Sequence, residues 1–318
     1  MAENKNTVAK TTMAGGEPMR KIKSLDRVRG FDVLTNGVMI FLVVFCLMPL
    51  VLLVMSSFTD ETTLVINGYN FIPEKFSLKA YLYLLNSGKT ILRSYGMSIL
   101  VTAVGTVLSI CFTTTLGYAI SKEGLPFRGF LNFYVFFTML FNGGLVPTYL
   151  MYTGTFQIKN TVFALIIPNL LLRAYYVILM RSYFQTSMPN EVLEAAQVDG
   201  ATEFQIFYKI AIPMAKPIIA TVLMFTMITY WNDWQNGLYY ITTNTKLYTV
   251  QNLLNRMMQE IQFLAQNAGQ IGAAVDAAVP SATVRMAIAV IGILPIAIIY
   301  PFVQNNFAKG ITLGAVKG

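Results

Sequence analysis

Six long apolar runs constrain this chain more than any other feature. A helix that crosses a bilayer needs about 20 mostly apolar residues, because every backbone polar group must be paired within the segment. Six segments meet this condition, at approximately 34–58, 92–120, 130–152, 161–180, 217–241 and 284–303. Only 12% of the residues are charged, against about 25% in an average soluble domain. The sequence therefore predicts an all-α membrane protein with six transmembrane helices.

Basic residues are concentrated near the start of the chain. The formal charge of +8 could indicate a nucleic-acid partner, but seven of the 23 Lys and Arg residues lie within the first thirty. A basic flank before an apolar run is a topology signal. We therefore expect no nucleic-acid partner, a basic and disordered segment over 1–28, and a transmembrane domain over 29–318.

The positions of Lys and Arg between the runs also predict an orientation. With the N-terminus inside, the cytoplasmic segments hold 14 of these residues and the outer segments hold six. Because basic residues favour the cytoplasmic side, we expect both termini in the cytoplasm. Two outer segments, about 59–91 and 242–283, carry apolar or aromatic residues and few charges. These two segments are expected to pack rather than extend into solvent.

Several kinds of chemistry are excluded by residues that the sequence lacks. The chain contains no histidine, which excludes a histidine-based catalytic dyad and a metal site with histidine ligands. It contains no G-x-x-x-x-G-K-[ST] phosphate loop, so we expect no ATP site. No cluster of paired acids lies inside the apolar runs, so the catalytic groups that a membrane-embedded enzyme would need are lacking. We expect no catalytic residue, metal site or cofactor in this chain.

The segment between the fourth and fifth runs, at about 187–216, has the pattern of two short helices. Pro189 suits a first helical turn, and Gly200 suits the left-handed position that ends a helix. Thr202 and Gln205 have the spacing of a capping box, and Pro213 is expected to stop the second helix. Phe204, Phe207, Tyr208 and Ala211 are predicted to share one apolar face. Such a hairpin could dock onto a partner or pack back onto the bundle, and the pattern alone does not decide.

The same segment resembles the EAA signature of bacterial ABC importer permeases. The matching residues are Glu194, Ala195, Ala196, Asp199, Gly200, Ala201, Phe207, Ile210, Pro213 and Pro217. In that family the segment is the coupling helix, seated in the nucleotide-binding subunit. The resemblance implies that Glu194 contacts an ATPase. Asp199 and Gly200 are expected to shape the turn between the two helices.

Two further motifs resemble one branch of that family, the maltose-type permeases for sugars and oligosaccharides. They are Trp231-Asn232-Asp233 and the tail from Phe307 to Gly318. The resemblance implies a permease subunit that translocates a saccharide across a bacterial cell membrane. The implied partners are a second homologous permease, two subunits that bind ATP and Mg²⁺, an extracellular solute-binding protein and the surrounding lipid. Gln197, Lys216 and the long connection after the fifth run depart from the pattern.

Polar side chains inside the runs mark a candidate substrate path. Asp233 is flanked by amides and aromatic rings, a combination that suits sugar recognition. Arg173 lies inside the fourth run, where an ionisable residue is costly and normally faces a cavity or partner. Asn142-Gly143-Gly144 and Pro168-Asn169 interrupt the third and fourth runs, and broken helices can line a cavity. The predicted path residues are Trp231, Asn232, Asp233, Trp234, Asn236, Arg173, Asn142 and Asn169.

These features have alternative interpretations. Arg173 could extend to the cytoplasmic end of its helix, and Trp231 and Trp234 could belong to an interfacial aromatic belt with Asn232 capping a helix break. The chain could instead be an importer permease for a peptide, an amino acid or an anion. It could also be an ion-coupled secondary transporter, which would require several intramembrane carboxylates, whereas Asp233 is the one candidate.

Overall fold

The fold is built from helices and the breaks between them. The computed structural model describes residues 25–86, 88–271, 282–295 and 297–298. Within these residues no strand is present beyond an isolated bridge between Thr59 and Phe76. The helices are α1 (Leu25–Ser57), α2 (Glu61–Asn67), α3 (Lys79–Asn86), α4 (Gly88–Ser121), α5 (Arg128–Leu140), α6 (Leu145–Leu150), α7 (Phe163–Ile166), α8 (Ala174–Thr186), α9 (Asn190–Val198), α10 (Glu203–Ile206), α11 (Ile212–Met214), α12 (Lys216–Trp231), α13 (Gln235–Tyr240), α14 (Val250–Ile271) and α15 (Ala282–Pro295).

Short irregular helical turns continue two of these elements. A π-helical turn over Met151–Thr155 follows α6, and another over Phe207–Ala211 joins α10 to α11. A 3-10 turn over Thr245–Leu247 precedes α14. The predicted all-α class is confirmed for the described part of the chain.

Helices long and apolar enough to span a membrane are fewer than the apolar runs. Phe31–Ser57 within α1 and Gly88–Ser121 both qualify by length and composition. Two further pairs of helices qualify only if each bent pair counts as one span. The described residues thus give two to four candidate spans, and the count of six stays a prediction. The tail motif and the expected N-terminal segment up to residue 24 lie outside the described residues.

Three of the apolar runs are not continuous helices. In the run at 130–152, α5 and the helix from Leu145 to Thr155 meet at 115°, because Gly144 takes a positive φ of 90° at the break. In the run at 161–180, Pro168 and left-handed Asn169 (φ 59°) separate the four residues of α7 from α8. The run at 217–241 is split after Trp231, where Asn232 ends α12 before α13 begins. The helices are therefore shorter than the apolar runs suggested.

Pro213 does not stop the second helix of the 187–216 segment, contrary to expectation. The helix continues to Met214, and the chain turns by 78° into α12 at Ala215. Pro213 lies two residues after the π-helical turn over Phe207–Ala211, and Pro217 lies in the first turn of α12, where no intrahelical N–H bond is lost. The bend therefore falls between two prolines.

The centre of the unit that begins at Leu52 is formed by α4, α8 and α12. Tyr118, Met180 and Phe184 belong to its buried cluster with Ala211, Ala215, Ile218 and Val222. Two glycines of α4 allow the close approach of its neighbours. A Cβ at Gly117 would lie 2.9 Å from the Met180 Cβ, and one at Gly105 would lie 2.5 Å from Tyr230 Cε1. Small residues commonly permit such contacts between membrane helices.

The two long segments at 59–91 and 242–283 contribute to a second cluster, as their apolar content predicted. Ala80 and Leu84 of α3 contact a group from α14 and α15 that includes Val250, Leu254 and Val284. The carboxylate of Glu61 accepts hydrogen bonds from the backbone N–H groups of Ala282 and Thr283, at 2.9 Å each, and from the Thr283 hydroxyl at 2.7 Å. Glu61 thereby caps the start of α15.

Replacing Gly105 with alanine should destabilise the close contact of α4 with Tyr230. The added methyl group would overlap the Tyr230 ring, whose hydroxyl is fixed by a 2.9 Å hydrogen bond to the Ile166 carbonyl. We expect a loss of about 1–3 kcal/mol in unfolding free energy, the usual range for overpacking, measured by thermal unfolding of the purified protein in detergent.

Gly96→Ala is the matched control, since it lies on the same helix and its Cβ would have no atom within 4 Å. It should leave stability unchanged or slightly raised, because alanine favours helix more than glycine does. Equal melting temperatures for the Gly105 variant and the unmodified chain would contradict the close-packing argument.

Candidate functional site

The three helix breaks line one polar cavity of about 600 Å³. Each break contributes part of the wall, from Asn142 to Thr148, from Pro168 to Arg173, and from Ile228 to Tyr240. The lining residues are Asn142, Gly144, Leu145, Thr148, Pro168, Asn169, Leu170, Arg173, Ile228, Thr229, Asn232, Asp233, Trp234, Gln235, Asn236, Tyr239 and Tyr240. Seven of the eight predicted path residues are among them. Amides, hydroxyls and aromatic rings dominate this wall.

Buried hydrogen bonds hold the break of the fourth run against the fifth. The Tyr230 hydroxyl donates to the Ile166 carbonyl at 2.9 Å, and Asn236 Nδ2 donates to the Pro168 carbonyl at 3.0 Å. Both bonds are buried. A broken helix frees carbonyls that must find other partners inside a membrane protein. Tyr230 and Asn236 supply those partners and thereby fix the cavity wall.

The two motif residues after α12 also have local structural roles. Asn232 is the C-cap of α12, as the alternative interpretation of this motif suggested. Asp233 Oδ1 accepts a hydrogen bond from the Asn236 backbone N–H at 3.3 Å, which caps the start of α13. Asp233 is half-buried and lines the cavity. The Asp233 carboxylate therefore stabilises the turn before α13 and contributes negative charge to the cavity wall.

Trp231 does not line the cavity. It is buried, and its ring lies 6.3 Å from that of Tyr95, measured between centroids. Trp234, three residues later, is 37% exposed and does line the cavity. The two tryptophans of the motif thus lie in different environments, one in the packed interior and one at the candidate site.

Arg173 lies between the polar cavity and a second, more aromatic one of about 1000 Å³. Arg173 and Asn169 line both cavities, and Tyr134, Tyr152 and Tyr175 line the second. Arg173 Nε donates to the Asn169 carbonyl at 3.2 Å, and its guanidinium lies 6.0 Å from the Tyr176 ring centroid. Within the described residues, no carboxylate forms a salt bridge with it. The Asp233 carboxylate in the same wall interacts with it electrostatically without forming a salt bridge.

The position of Arg173 argues against the alternative that it extends to the end of its helix. Arg173 is the N-cap of α8, and the 13 residues of that helix follow it before the 187–216 segment begins. At 1.5 Å per residue, the far end of α8 is about 20 Å away. An arginine side chain is too short to reach it.

Sequence reasoning missed several lining residues, including Thr148, Gln235 and Tyr239. Tyr239 lies three residues after Asn236 on α13, so helical periodicity places the two on neighbouring positions of one face. This spacing is the signal by which Tyr239 could have been identified from the sequence.

The 187–216 segment forms the expected pair of short helices. Gly200 takes a positive φ of 76° after α9. Thr202 and Gln205 form a complete capping box, with bonds of 2.9 and 3.3 Å between each side chain and the other residue's backbone. Glu194, Ala195, Asp199 and Gly200 are exposed, whereas Ala196 and Ala201 are half-buried. The turn therefore presents the acidic residue of the motif to solvent.

The predicted apolar face of the second helix is wrong. Phe204 and Tyr208 are 74% and 65% exposed, whereas Ile206 and Ala211 are buried and Phe207 packs partly against the core. The π-helical turn over Phe207–Ala211 changes the number of residues per turn, so 3.6-residue spacing does not place the four predicted residues on one face. Glu194, Val198, Phe204 and Tyr208 are all exposed residues of this segment, and we call the set the coupling surface after the coupling helix that the resemblance predicts.

Comparison with known proteins identifies the family. Residues 114–313, which contain both the cavity and the coupling surface, match the family described as "Binding-protein-dependent transport system inner membrane component". The chain belongs to this family. It is therefore an ABC transporter permease, as its EAA motif predicted, and not an enzyme. Such a permease is an inner-membrane component that works with a solute-binding protein, an ATPase and a partner permease.

Individual relatives extend the comparison over most of the permease. A Bacillus subtilis protein named polygalacturonan/rhamnogalacturonan transport system permease protein YtcP is 33% identical over 290 residues, which is 91% of this chain and 99% of the relative. Protein LplC of Bacillus subtilis is 36% identical over 272 residues, or 86% of this chain and 90% of the relative. A solved structure, described as a bacterial ABC transporter involved in the import of the acidic polysaccharide alginate, aligns with a TM-score of 0.72 and 27% identity. That alignment covers 92% of this chain and 100% of the other.

Asn236→Leu should destabilise the cavity wall of the permease. Leucine has a similar size but cannot donate to the buried Pro168 carbonyl, and an unpaired buried polar group costs about 1–3 kcal/mol. We expect a lower melting temperature in detergent. Gln235→Leu, an exposed neighbour on the same helix, should change stability much less. Equal effects of the two substitutions would contradict the role assigned to the Asn236 amide.

Proposed function

We propose that this permease translocates a saccharide in a complex with a second homologous permease, two ATP-binding subunits and an extracellular solute-binding protein. The observation that carries the proposal is the polar cavity at the three helix breaks. Its amides and hydroxyls can pair with sugar hydroxyls, while Trp234 and Tyr239 offer flat apolar faces. Relatives named for polygalacturonan, rhamnogalacturonan and alginate support a carbohydrate substrate.

The proposed orientation places both termini and the 187–216 segment in the cytoplasm. The excess of Lys and Arg in the segments assigned to that side supports it. The ATP-binding subunits would then meet the coupling surface, and they would hold the ATP and Mg²⁺ of the complex. The solute-binding protein would deliver substrate on the opposite side, where the cluster of α3, α14 and α15 would lie.

The helices that flank the 187–216 segment provide a mechanical link to the cavity. Arg173 and Asn169 precede α8, which leads into the segment, and α12 leads from the segment to Asn232 and Asp233. The 16 residues of α12 span about 24 Å. Movement imposed on the segment by ATP binding would displace both helices and thereby change the cavity walls.

Within this function, we propose that the substrate is an acidic oligosaccharide. Arg173 lies at the junction of both cavities and forms no salt bridge among the described residues, although the Asp233 carboxylate in the same wall attracts it electrostatically. A guanidinium binds a carboxylate with charge-assisted hydrogen bonds, which are about twice as strong as neutral ones. The names of two relatives fit this chemistry, since alginate is described as acidic and a polygalacturonan consists of uronic acid units.

Arg173→Gln tests the substrate class. The complete complex is reconstituted in proteoliposomes, and uptake of an oligogalacturonate is compared with that of a neutral oligosaccharide such as maltotriose, each with binding protein that accepts it. We expect uptake of the acidic sugar by the unmodified complex, and a loss of about tenfold or more in the variant, because hydrogen bonds to charged groups contribute about 1.5–3 kcal/mol. Arg173→Lys should retain part of the activity.

Arg93→Gln is the control for this test, since it removes an exposed arginine from the start of α4, away from both cavities. It should transport as the unmodified complex does. Transport of neutral sugars alone would refute the acidic substrate but not the saccharide function. Stimulation by peptides or amino acids, or uptake that follows an ion gradient without ATP, would refute the saccharide importer itself.

Glu194→Ala tests the coupling surface. Because Glu194 is exposed and makes no hydrogen bond or salt bridge within the described part of the chain, the variant should fold normally. We expect reduced co-purification of the ATP-binding subunit, or ATP hydrolysis that no longer responds to substrate. Glu260→Ala, an exposed acid on α14, is the matched control and should assemble normally. Unchanged assembly and coupling in Glu194→Ala would rule out its assigned role.

A further inference from the structure

A single carboxylate, that of Glu203, joins three parts of the permease. Glu203 Oε1 accepts a hydrogen bond from Gln197 Nε2 of α9 at 3.0 Å. Glu203 Oε2 accepts one from the Tyr118 hydroxyl of α4 at 3.3 Å, and it lies 3.4 Å from Lys122 Nζ, just beyond the end of α4. The helix of the EAA motif is thus connected through Glu203 to a long central helix.

Both ends of this connection are held in place. Glu203 is the first residue of α10 and follows Thr202, whose capping box fixes the local backbone. Tyr118 is 7% exposed, and its ring lies 4.9 Å from that of Phe207 and 5.4 Å from that of Phe184. Lys122 Nζ lies 4.8 Å from the Tyr118 ring centroid and adds a cation–π contact. A displacement of Glu203 would therefore be transmitted to Tyr118, which is buried and packed between aromatic rings.

The contact suits transmission of movement better than stabilisation of the fold. The Glu203 side chain is 61% exposed and that of Lys122 is 23% exposed. Exposed ion pairs contribute little to stability. However, α4 packs closely on both α8 and α12 through Gly117 and Gly105, so a force applied to its end reaches the helices that border the cavity. Removing Glu203 should loosen the connection without unfolding the protein.

We propose that Glu203 is a positioning residue that ties the 187–216 segment to α4, so that a displacement of α9 by the ATP-binding subunit moves α4, α8 and α12 together. The proposal rests on the proposed function, in which the 187–216 segment receives that displacement. Glu203 acts through Tyr118 and Lys122 and is not assigned a contact with the ATPase or the substrate.

The test compares the number of ATP molecules hydrolysed per saccharide transported in the reconstituted complex. We expect Glu203→Ala to assemble with the ATP-binding subunit and to melt at the same temperature as the unmodified complex, yet to hydrolyse several times more ATP per saccharide. Tyr118→Phe, which removes one donor to Glu203, should raise the ratio less. The double variant should be no worse than Glu203→Ala alone, because both substitutions break the same connection.

Glu123→Ala is the matched control. It removes an exposed carboxylate next to Lys122, one that makes no hydrogen bond or salt bridge within the described residues, and it should leave the ratio unchanged. An unchanged ratio in Glu203→Ala, equal effects of the two acid substitutions, or additive effects of Glu203→Ala and Tyr118→Phe would each overturn the proposal. Loss of the ATP-binding subunit from Glu203→Ala would also overturn it, by making Glu203 a docking residue. If no ATPase assembles even with the unmodified chain, the proposed function fails instead.

Discussion

The cavity depends on how a membrane protein pairs backbone groups that a broken helix leaves free. Within a bilayer, no bulk water is available to pair them, and each unpaired group is costly. Here the Tyr230 hydroxyl and the Asn236 amide pair the carbonyls of Ile166 and Pro168. These bonds allow the chain to leave helical geometry between α7 and α8. The polar wall of the cavity exists because these breaks are stabilised from the neighbouring segment.

The sequence predicted the helical class and two of the three breaks, because Asn142-Gly143-Gly144 and Pro168-Asn169 carry their own conformational signals. It offered the end of the fifth run's helix at Trp231 only as an alternative, in which Asn232 caps a helix break. Trp231-Asn232-Asp233 contains no Gly or Pro, and its break depends on tertiary contacts, including the bond from Asn236 to Pro168 68 residues away. Apolar composition identifies what can lie in a membrane but does not report where a helix bends within it.

In the 187–216 segment, too, local signals were predictable whereas features that depend on tertiary contacts were not. Gly200 and the Thr202–Gln205 capping box are local signals, and both appear in the structure. The face of the second helix was mispredicted because a π-helical turn is not evident from the order of apolar residues. The contact between Glu203 and Tyr118 joins residues 85 positions apart. No pattern within one segment could have revealed this contact, although Glu203 lies within the segment that carries the EAA motif.

The packing of α4 on its neighbours determines where a conformational change can occur. Because Gly105 and Gly117 bring α12 and α8 into close contact with α4, independent sliding of these helices would create overlaps or voids. The three helices are therefore expected to move as one body. Changes in backbone conformation would then fall in the connections between helices, among them the segments at 141–144, 167–173 and 232–234. These segments supply the cavity wall, so a rigid-body movement of the helices would alter the substrate site directly.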